Sequence, residues 1–219
     1  MEDREILSMI DHTLLTPTAT RDEVIRLCDE AIRWGCASVC IPPSYVDDVC
    51  SIYGRRLTVC TVVGFPLGYS TTQAKCAEAT AAIAGGATEI DTVINITDVK
   101  NGRYSEVEDE LRALRHVCHG VILKVIVETC YLTQDEKVRL CELVTASGAD
   151  FIKTSTGFGT AGATLEDVRL FKEHIGEGVR IKAAGGVRTI EEARAFIEAG
   201  ASRLGSSKVA PLLAEKLGL

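Results

Sequence analysis

The sequence predicts an α/β protein in which one domain, a single (βα)8 TIM barrel, spans residues 1–219. A unit of about 20 to 30 residues repeats along the chain: a β-branched run, a polar loop, an amphipathic stretch and a glycine. Strict alternation of strands and helices implies a parallel sheet with helical crossovers. Eight such units in a chain of this length favour a closed barrel. The alternative is an open doubly wound sheet, but no G-x-G-x-x-G motif follows the first strand.

Eight apolar runs are the predicted strands. The fifth is almost continuously apolar, which is typical of strands in a parallel sheet that is covered on both faces. In chain order the predicted strands are Ser8–His12, Ala37–Ile41, Leu57–Val63, Glu89–Asn95, Val121–Glu128, Phe151–Thr154, Val179–Ala183 and Arg203–Gly205.

Start and stop signals mark the helices between these strands. A capping box, in which a hydroxyl and an acidic or amide side chain satisfy opposed backbone N–H groups, predicts a helix start. The predicted boxes are Thr20/Glu23, Ser70/Gln73, Ser105/Glu108, Thr133/Glu136 and Thr189/Glu192. A glycine after a helix predicts a left-handed residue that ends it. These glycines are Gly35, Gly85, Gly120, Gly148 and Gly200.

Composition narrows the class of protein and its compartment. The net charge of −7 argues against nucleic acid and against anionic membranes as partners, because both are polyanions. The nine cysteines are odd in number and contain no C-x-x-C pair, so we expect free thiols in a reducing environment. The sequence contains neither a signal-peptide pattern nor an apolar stretch of the ~18 residues that a bilayer span needs. We therefore expect a cytoplasmic protein.

Polar residues near the carboxyl ends of the strands are the candidate site residues, because barrel active sites lie at that end. Alternation along each strand places Lys124, Lys153 and Lys182 on inward faces, together with Asp91 and Asp11. An inward lysine is costly unless it is paired or functional. Three of them predict a small buried cluster of charges.

Such a cluster suits amine chemistry. Lysine is a poor nucleophile while it is protonated, and a neighbouring ammonium with partial desolvation favours the neutral amine that forms a Schiff base. The alternative is a set of purely structural ion pairs, such as Lys124–Glu128 or Lys182–Asp91. No zinc-binding pattern is present, and we expect no metal and no cofactor.

Two glycine-containing segments predict a phosphate site. Gly185-Gly186-Val187-Arg188 follows the seventh strand, and Gly205-Ser206-Ser207 follows the eighth. Loops at these places in barrels often bind phosphate through backbone N–H groups and a helix N-terminus. The alternative is that these glycines only end their strands.

These segments resemble the deoxyribose-phosphate aldolase family. The resemblance runs in order from about residue 9 to residue 207. It is carried by DHT (11–13), TVVGFPLG (61–68), EID (89–91), LKVIVET (123–129), FIKTSTG (151–157) and KAAGGVRT (182–189).

The resemblance implies a metal-independent aldolase that cleaves 2-deoxy-D-ribose 5-phosphate to acetaldehyde and glyceraldehyde 3-phosphate. It implies that Lys153 is the Schiff-base nucleophile, that Lys182 is its cationic neighbour and that Asp91 is the acid–base partner. The remaining expected substrate-binding residues are Lys124, Thr156, Gly185, Gly186, Arg188, Gly205, Ser206, Ser207, Asp11 and Cys40.

The sequence departs from the family pattern in two places, and the roles of the family residues there are not assigned to this chain. The chain ends at Leu219 without a tail that carries a tyrosine, and Phe158 follows Gly157 where some members have a lysine. We expect a homo-oligomer, either a dimer or a tetramer. The competing hypotheses are another barrel enzyme that acts on phosphosugars, either an aldolase or an isomerase, and a non-catalytic regulator that binds a sugar phosphate.

Overall fold

A computed structural model describes all residues from 1 to 219 and contains one closed barrel of eight parallel strands. Each strand pairs with its sequence neighbours, and β1 pairs with β8 to close the ring. The predicted (βα)8 architecture is therefore confirmed. The strands are β1 (Ile10–Thr13), β2 (Ser38–Ile41), β3 (Val59–Val63), β4 (Glu89–Val93), β5 (Ile122–Ile126), β6 (Phe151–Lys153), β7 (Arg180–Ala184) and β8 (Arg203–Ser206).

Helices surround the barrel. They are α1 (Asp3–Leu7), α2 (Arg21–Trp34), α3 (Val46–Tyr53), α4 (Thr72–Ala84), α5 (Ile96–Lys100), α6 (Tyr104–Val117), α7 (Gln134–Ser147), α8 (Leu165–His174), α9 (Ile190–Ala199) and α10 (Val209–Leu217). Short 3-10 turns occupy Pro43–Tyr45, Gly54–Arg56 and Thr129–Tyr131. No helix has both the length and the apolar character that a membrane span requires.

All eight predicted strands exist, with ends that differ by one or two residues. One difference of two residues concerns the strand predicted to end at Glu128, because β5 ends at Ile126. Glu128 instead adopts a left-handed backbone conformation with φ of 54° and ψ of 67°. It is the one residue other than glycine with positive φ, and such backbone strain is often found at functional sites.

The capping boxes predicted at Thr20, Thr133 and Thr189 are confirmed. The box at Ser70 is wrong, because Thr71 caps α4 and accepts from the Ala74 N–H. Ser70, Thr71 and Thr72 are consecutive hydroxyl residues, and the capping-box pattern does not show which of them is the N-cap. The box at Ser105 is also wrong, since α6 already begins at Tyr104.

The predicted left-handed glycines are confirmed at Gly35 and Gly148, which end α2 and α7. Gly120 and Gly200 also have positive φ, although Gly120 lies two residues beyond the α6 cap at Cys118. The prediction of a left-handed conformation at Gly85 is wrong, because its φ is −75°. The adjacent Gly86, with φ of 102°, takes the positive-φ conformation instead.

Alternation along the strands divides the buried side chains into two regions. Outward residues such as Val39 and Ile41 join the large apolar core between sheet and helices. The apolar cluster inside the barrel is small and consists of Cys40, Cys60 and Val62. Much of the remaining barrel interior is occupied by charged side chains, and these form the candidate site.

Candidate active site

A cavity of about 400 Å³ opens at the carboxyl ends of the strands, where barrel active sites lie. Its walls come from the loops after β1, β6, β7 and β8. The lining residues are 13–16, 153, 156–158, 184–188 and 205–208. Lys153 is the one lysine of the buried cluster that reaches this cavity.

Asp91 is the centre of the charged cluster below the cavity. Its Oδ2 accepts hydrogen bonds from Lys153 Nζ and Lys182 Nζ, each at 2.7 Å. Its Oδ1 accepts from Lys124 Nζ at 2.8 Å and from the Cys60 thiol at 3.1 Å. The predicted convergence of the three lysines and Asp91 is therefore observed. It follows from the register, which sets Asp91 beside Lys124 and Lys153 beside Lys182.

The three lysines differ in how many carboxylates they contact. Lys124 Nζ lies 2.5 Å from Glu89, 2.8 Å from Asp91 and 3.8 Å from Asp11. Lys182 contacts both Asp11 and Asp91. Lys153 contacts Asp91 alone. Lys153 is also slightly exposed, at 3%, whereas Lys124 and Lys182 are fully buried.

Burial and the neighbouring opposite charges shift the pKa values of this cluster in opposite directions, and the effect of the charges is the larger one. Burial favours the neutral forms of Asp91 and Asp11, but the ammonium groups around them hold the pKa of both carboxyls well below its usual range. Burial likewise opposes the charges of Lys124 and Lys182, yet the facing carboxylates raise the pKa of both amines. Asp91 therefore stays ionised, and Lys124 and Lys182 stay protonated, at neutral pH.

Three residues around Asp11 complete the cluster, and sequence reasoning did not identify them as site residues: Arg203, Glu89 and Ser38. Arg203, at the start of β8, donates to Asp11 Oδ1 at 2.6 Å and to Glu89 at 3.2 to 3.3 Å. Ser38 also donates to Asp11, at 2.8 Å. Counting all members, four cationic side chains (Lys124, Lys153, Lys182, Arg203) face three carboxylates (Asp11, Glu89, Asp91), an excess of one cation.

Of the two structural ion pairs that the sequence left open, Lys182–Asp91 forms and Lys124–Glu128 does not. Glu128 turns instead towards the β6 loop, where its carboxylate accepts from the backbone N–H of Thr156 at 3.2 Å and from the Thr156 hydroxyl. The same hydroxyl oxygen accepts from the Phe158 N–H at 3.0 Å. Glu128 thus fixes the loop that forms one wall of the cavity.

The two glycine-containing loops both line the cavity. Arg188 and Ser207 are exposed there, and neither side chain makes an ion pair or a hydrogen bond within the protein. The Ser206 hydroxyl, by contrast, donates to Val187 O and accepts from the N–H groups of Lys208 and Val209, so it caps the start of α10. Lys208 also lines the cavity, and sequence reasoning missed this cation.

Three expected substrate-binding residues lie away from the cavity wall: Lys124, Asp11 and Cys40. Lys124 is fully buried in the charged cluster. Asp11 is deep in the barrel beside Arg203 and Lys182. Cys40 is 1% exposed and packs beside Cys60. All three side chains point into the barrel, and none of them lines the cavity. Gly205 and Thr156 do line it, as do Gly185 and Gly186.

The β6 and β7 loops meet backbone to backbone. A Cβ atom at position 162 would overlap the carbonyl oxygen of Gly185. The N–H of Ala163 donates to Ala184 O at 3.2 Å and to Gly185 O at 3.0 Å. Only glycine permits this approach, and it joins the two loops into one rim around the cavity.

Comparison with known proteins places this chain among aldolases. A model of the DeoC/LacD family of aldolases matches residues 6–208. A deoxyribose-phosphate aldolase of Clostridium botulinum is 57% identical over 97% of this chain and 96% of its own length. One from Streptococcus pyogenes is 56% identical over 95% of this chain and 94% of its own. A deoxyribose phosphate aldolase of Aeropyrum pernix, described as having a unique tetrameric structure, superposes with a TM-score of 0.91 at 29% identity, covering 99% of this chain and 92% of its own.

Proposed function

Because this chain belongs to the DeoC/LacD family of aldolases and is a carbon–carbon lyase, we propose that it cleaves 2-deoxy-D-ribose 5-phosphate reversibly through a Schiff base on Lys153. The products would be acetaldehyde and D-glyceraldehyde 3-phosphate. The substrate is proposed because the curated relatives with 56–57% identity are named for it.

One observation carries the choice of Lys153. Among three neighbouring lysines, it alone lines the cavity and it alone has a single carboxylate partner. The cluster has one cation more than it has carboxylates, so a neutral Lys153 leaves three cations facing three carboxylates. Lys124 and Lys182 cannot lose a proton without leaving two or more carboxylates less well paired. Lys153 is therefore the lysine whose deprotonation disturbs the ion pairs of the cluster least, and we take it as the nucleophile.

The reaction begins when the neutral Lys153 amine adds to the C1 aldehyde, and the adduct takes up a proton and loses water, which forms an iminium. This cation accepts the electron pair of the C2–C3 bond as that bond breaks. The C3 hydroxyl loses its proton and becomes the aldehyde of glyceraldehyde 3-phosphate. The enamine on Lys153 then takes a proton at C2, and water hydrolyses the resulting iminium to release acetaldehyde.

We assign the proton transfers to Asp91, acting through water, with Lys182 beside it. The low pKa of Asp91 makes it a weak base and, once protonated, a strong acid. A proton received from the C3 hydroxyl would therefore be held briefly and returned readily to C2 of the enamine. Lys182 shares Asp91 Oδ2 with Lys153, which places its ammonium next to the reacting nitrogen.

The phosphate end of the substrate fits the part of the cavity that the loops after β7 and β8 form. Arg188, Ser207 and Lys208 lie there, together with the N-terminus of α10. The positive end of a helix dipole and nearby cations favour an anion. Phe158 stands where some family members have a lysine, and we propose that Arg188 and Lys208 supply the positive charge instead. Holding this end orients C1 towards Lys153.

The proposed function is tested by an assay with deoxyribose 5-phosphate, run with and without a strong chelator. We expect acetaldehyde release that the chelator does not change, because the iminium supplies the electron sink that a metal-dependent aldolase obtains from its metal. An isomerase would release no acetaldehyde, and a non-catalytic regulator would bind the substrate unchanged. Activity lost on chelation and restored by zinc would contradict the Schiff-base mechanism.

Ser207→Asp is expected to raise KM for deoxyribose 5-phosphate by roughly 10- to 100-fold, because the new carboxylate repels the phosphate in a partly desolvated pocket. KM for unphosphorylated deoxyribose should change little. Ser207→Asn, which has similar size and no charge, is the matched control. Steady-state kinetics on both sugars make the comparison, and equal effects on both would mean that the phosphate binds elsewhere.

We also propose that residues 1–219 act as one catalytic domain and that the protein is a homo-oligomer. The family model spans most of the chain, and the Aeropyrum pernix relative is described as tetrameric.

A further inference from the structure

Two cysteines face each other inside the barrel, next to the charged cluster. Cys40 on β2 and Cys60 on β3 are directly paired in the register of these neighbouring parallel strands. Both belong to the small apolar cluster inside the barrel, and they are 1% and 0% exposed. The proposed aldolase reaction uses neither thiol.

The separation of these residues suits a disulfide. Paired strands lie about 4.7 to 4.9 Å apart, which is within the range of about 4.4 to 6.8 Å that joins the Cα atoms of bonded cysteines. The two sulfurs and a carboxylate oxygen of Asp91 all lie within 4.8 Å of one another. Rotation about the side-chain bonds can therefore bring the sulfurs together without moving the strands.

The two thiols differ in reactivity. The neighbouring Cys60 thiol, with the ammonium groups of Lys182 and Lys153, lowers the pKa of the Cys40 thiol against the opposing effects of burial and Asp91. Burial raises the pKa of the Cys60 thiol, and the nearby Cys40 and Asp91 add to that effect. Cys40 is thus the better nucleophile towards an oxidant, and Cys60 is close enough to attack the oxidised sulfur of Cys40 afterwards.

A small oxidant can approach from the cavity. Partly buried Leu15 and Phe65 pack against the apolar cluster that contains the two cysteines. Leu15 also lines the cavity, so it contacts both the cavity and this cluster. Peroxide is close to water in size and needs only a brief side-chain motion to pass.

We propose that peroxide converts Cys40 and Cys60 into an intramolecular disulfide that reversibly switches the enzyme off. The Cys40 thiolate attacks one peroxide oxygen, the O–O bond breaks, and the departing hydroxide takes a proton to leave as water. The Cys60 sulfur then loses its proton and attacks the Cys40 sulfenic acid, which expels a second water. The two thiols lose two electrons in total, and the peroxide gains them.

The disulfide would disturb Asp91 directly. The Cys60 thiol donates to Asp91 Oδ1 at 3.1 Å, and Lys124 Nζ lies 3.3 Å from the same sulfur. Forming the S–S bond removes that hydrogen and draws the sulfur towards Cys40. Asp91 then loses a donor on the oxygen that it shares with Lys124, and its position against Lys153 and Lys182 changes.

The test treats the full-length enzyme with hydrogen peroxide and measures aldolase activity and protein mass. We expect activity to fall about tenfold or more, as the loss of a charge-assisted hydrogen bond implies. The protein should lose two hydrogen atoms in mass, and digestion should yield a linked Cys40–Cys60 peptide. A thiol reductant should restore both the mass and the activity.

Two variants separate this bond from other oxidation. Cys60→Ala should lose the linked peptide and the reversible inactivation, with each activity measured relative to the same variant before treatment. Cys141→Ser removes a buried cysteine of the outer core and should respond as the unmodified enzyme does. Reversible inactivation that persists in Cys60→Ala, or a linked peptide without loss of activity, would overturn the proposal.

The activity part of this inference rests on the proposed function, but the mass measurement does not. An untreated enzyme that fails to cleave deoxyribose 5-phosphate contradicts the proposed function and leaves the linked peptide to decide on the disulfide. An active enzyme that yields no linked peptide after peroxide contradicts the disulfide alone.

Discussion

Lys153→Leu is expected to abolish cleavage at every pH, with a loss of roughly 10⁴-fold or more, as removal of a covalent nucleophile commonly causes. The remaining cluster keeps Lys124, Lys182 and Asp91 in contact, so the barrel should still fold. Borohydride reduction of the unmodified enzyme with acetaldehyde should leave an ethyl group on Lys153. Peptide mass identifies the modified residue.

Lys153→Arg is the matched control for charge. It keeps a cation beside Asp91 but removes the nucleophilic amine, so it should be as inactive as the leucine variant. Substantial activity in either variant, or a reduced adduct on Lys182, would mean that the two lysines have the opposite roles.

Lys182→Leu is expected to lower kcat at neutral pH by about 10²-fold or more, because it removes an ammonium that shares Asp91 Oδ2 with Lys153. The pKa of Lys182 is raised by its carboxylate neighbours, so this ammonium is present throughout the neutral range. Without it, Asp91 holds the proton on Lys153 more strongly. The pH–kcat profile measures the change.

The sign of the pH effect follows from the nucleophile. The reactive form of Lys153 is the deprotonated amine, and a more tightly held proton is lost only at higher pH. Activity of Lys182→Leu should therefore recover partly as pH rises. Lys153→Leu should show no recovery, because no amine remains to be deprotonated. A flat profile for Lys182→Leu would contradict the electrostatic role.

Much of the site follows from sequence because strand geometry is regular. Side chains alternate between the two faces of a strand, so the inward positions of Lys124, Lys153 and Lys182 can be read directly from the chain. The parallel register then brings them to Asp91. Cys40 is among the expected substrate-binding residues, but the sequence does not show that it lies away from the cavity wall.

The residues that sequence reasoning missed depend on pairings between distant segments. Arg203 enters the cluster because β8 closes on β1 and meets Asp11, which is nearly the length of the chain away. Lys208 lines the cavity because it lies between the end of β8 and the first residue of α10. Glu128 turns from the barrel interior because its backbone is left-handed, which no alternation pattern indicates.

The close contact of Gly162 with Gly185 has a practical consequence for directed evolution of substrate range. Any side chain at either position must push the two loops apart, so libraries that randomise these glycines will consist largely of damaged proteins. Phe158 and Arg188 lie on the same loops with exposed side chains that point to the cavity. Amino-acid diversity is best introduced at these two positions, because the glycine pair keeps the backbone of both loops in place.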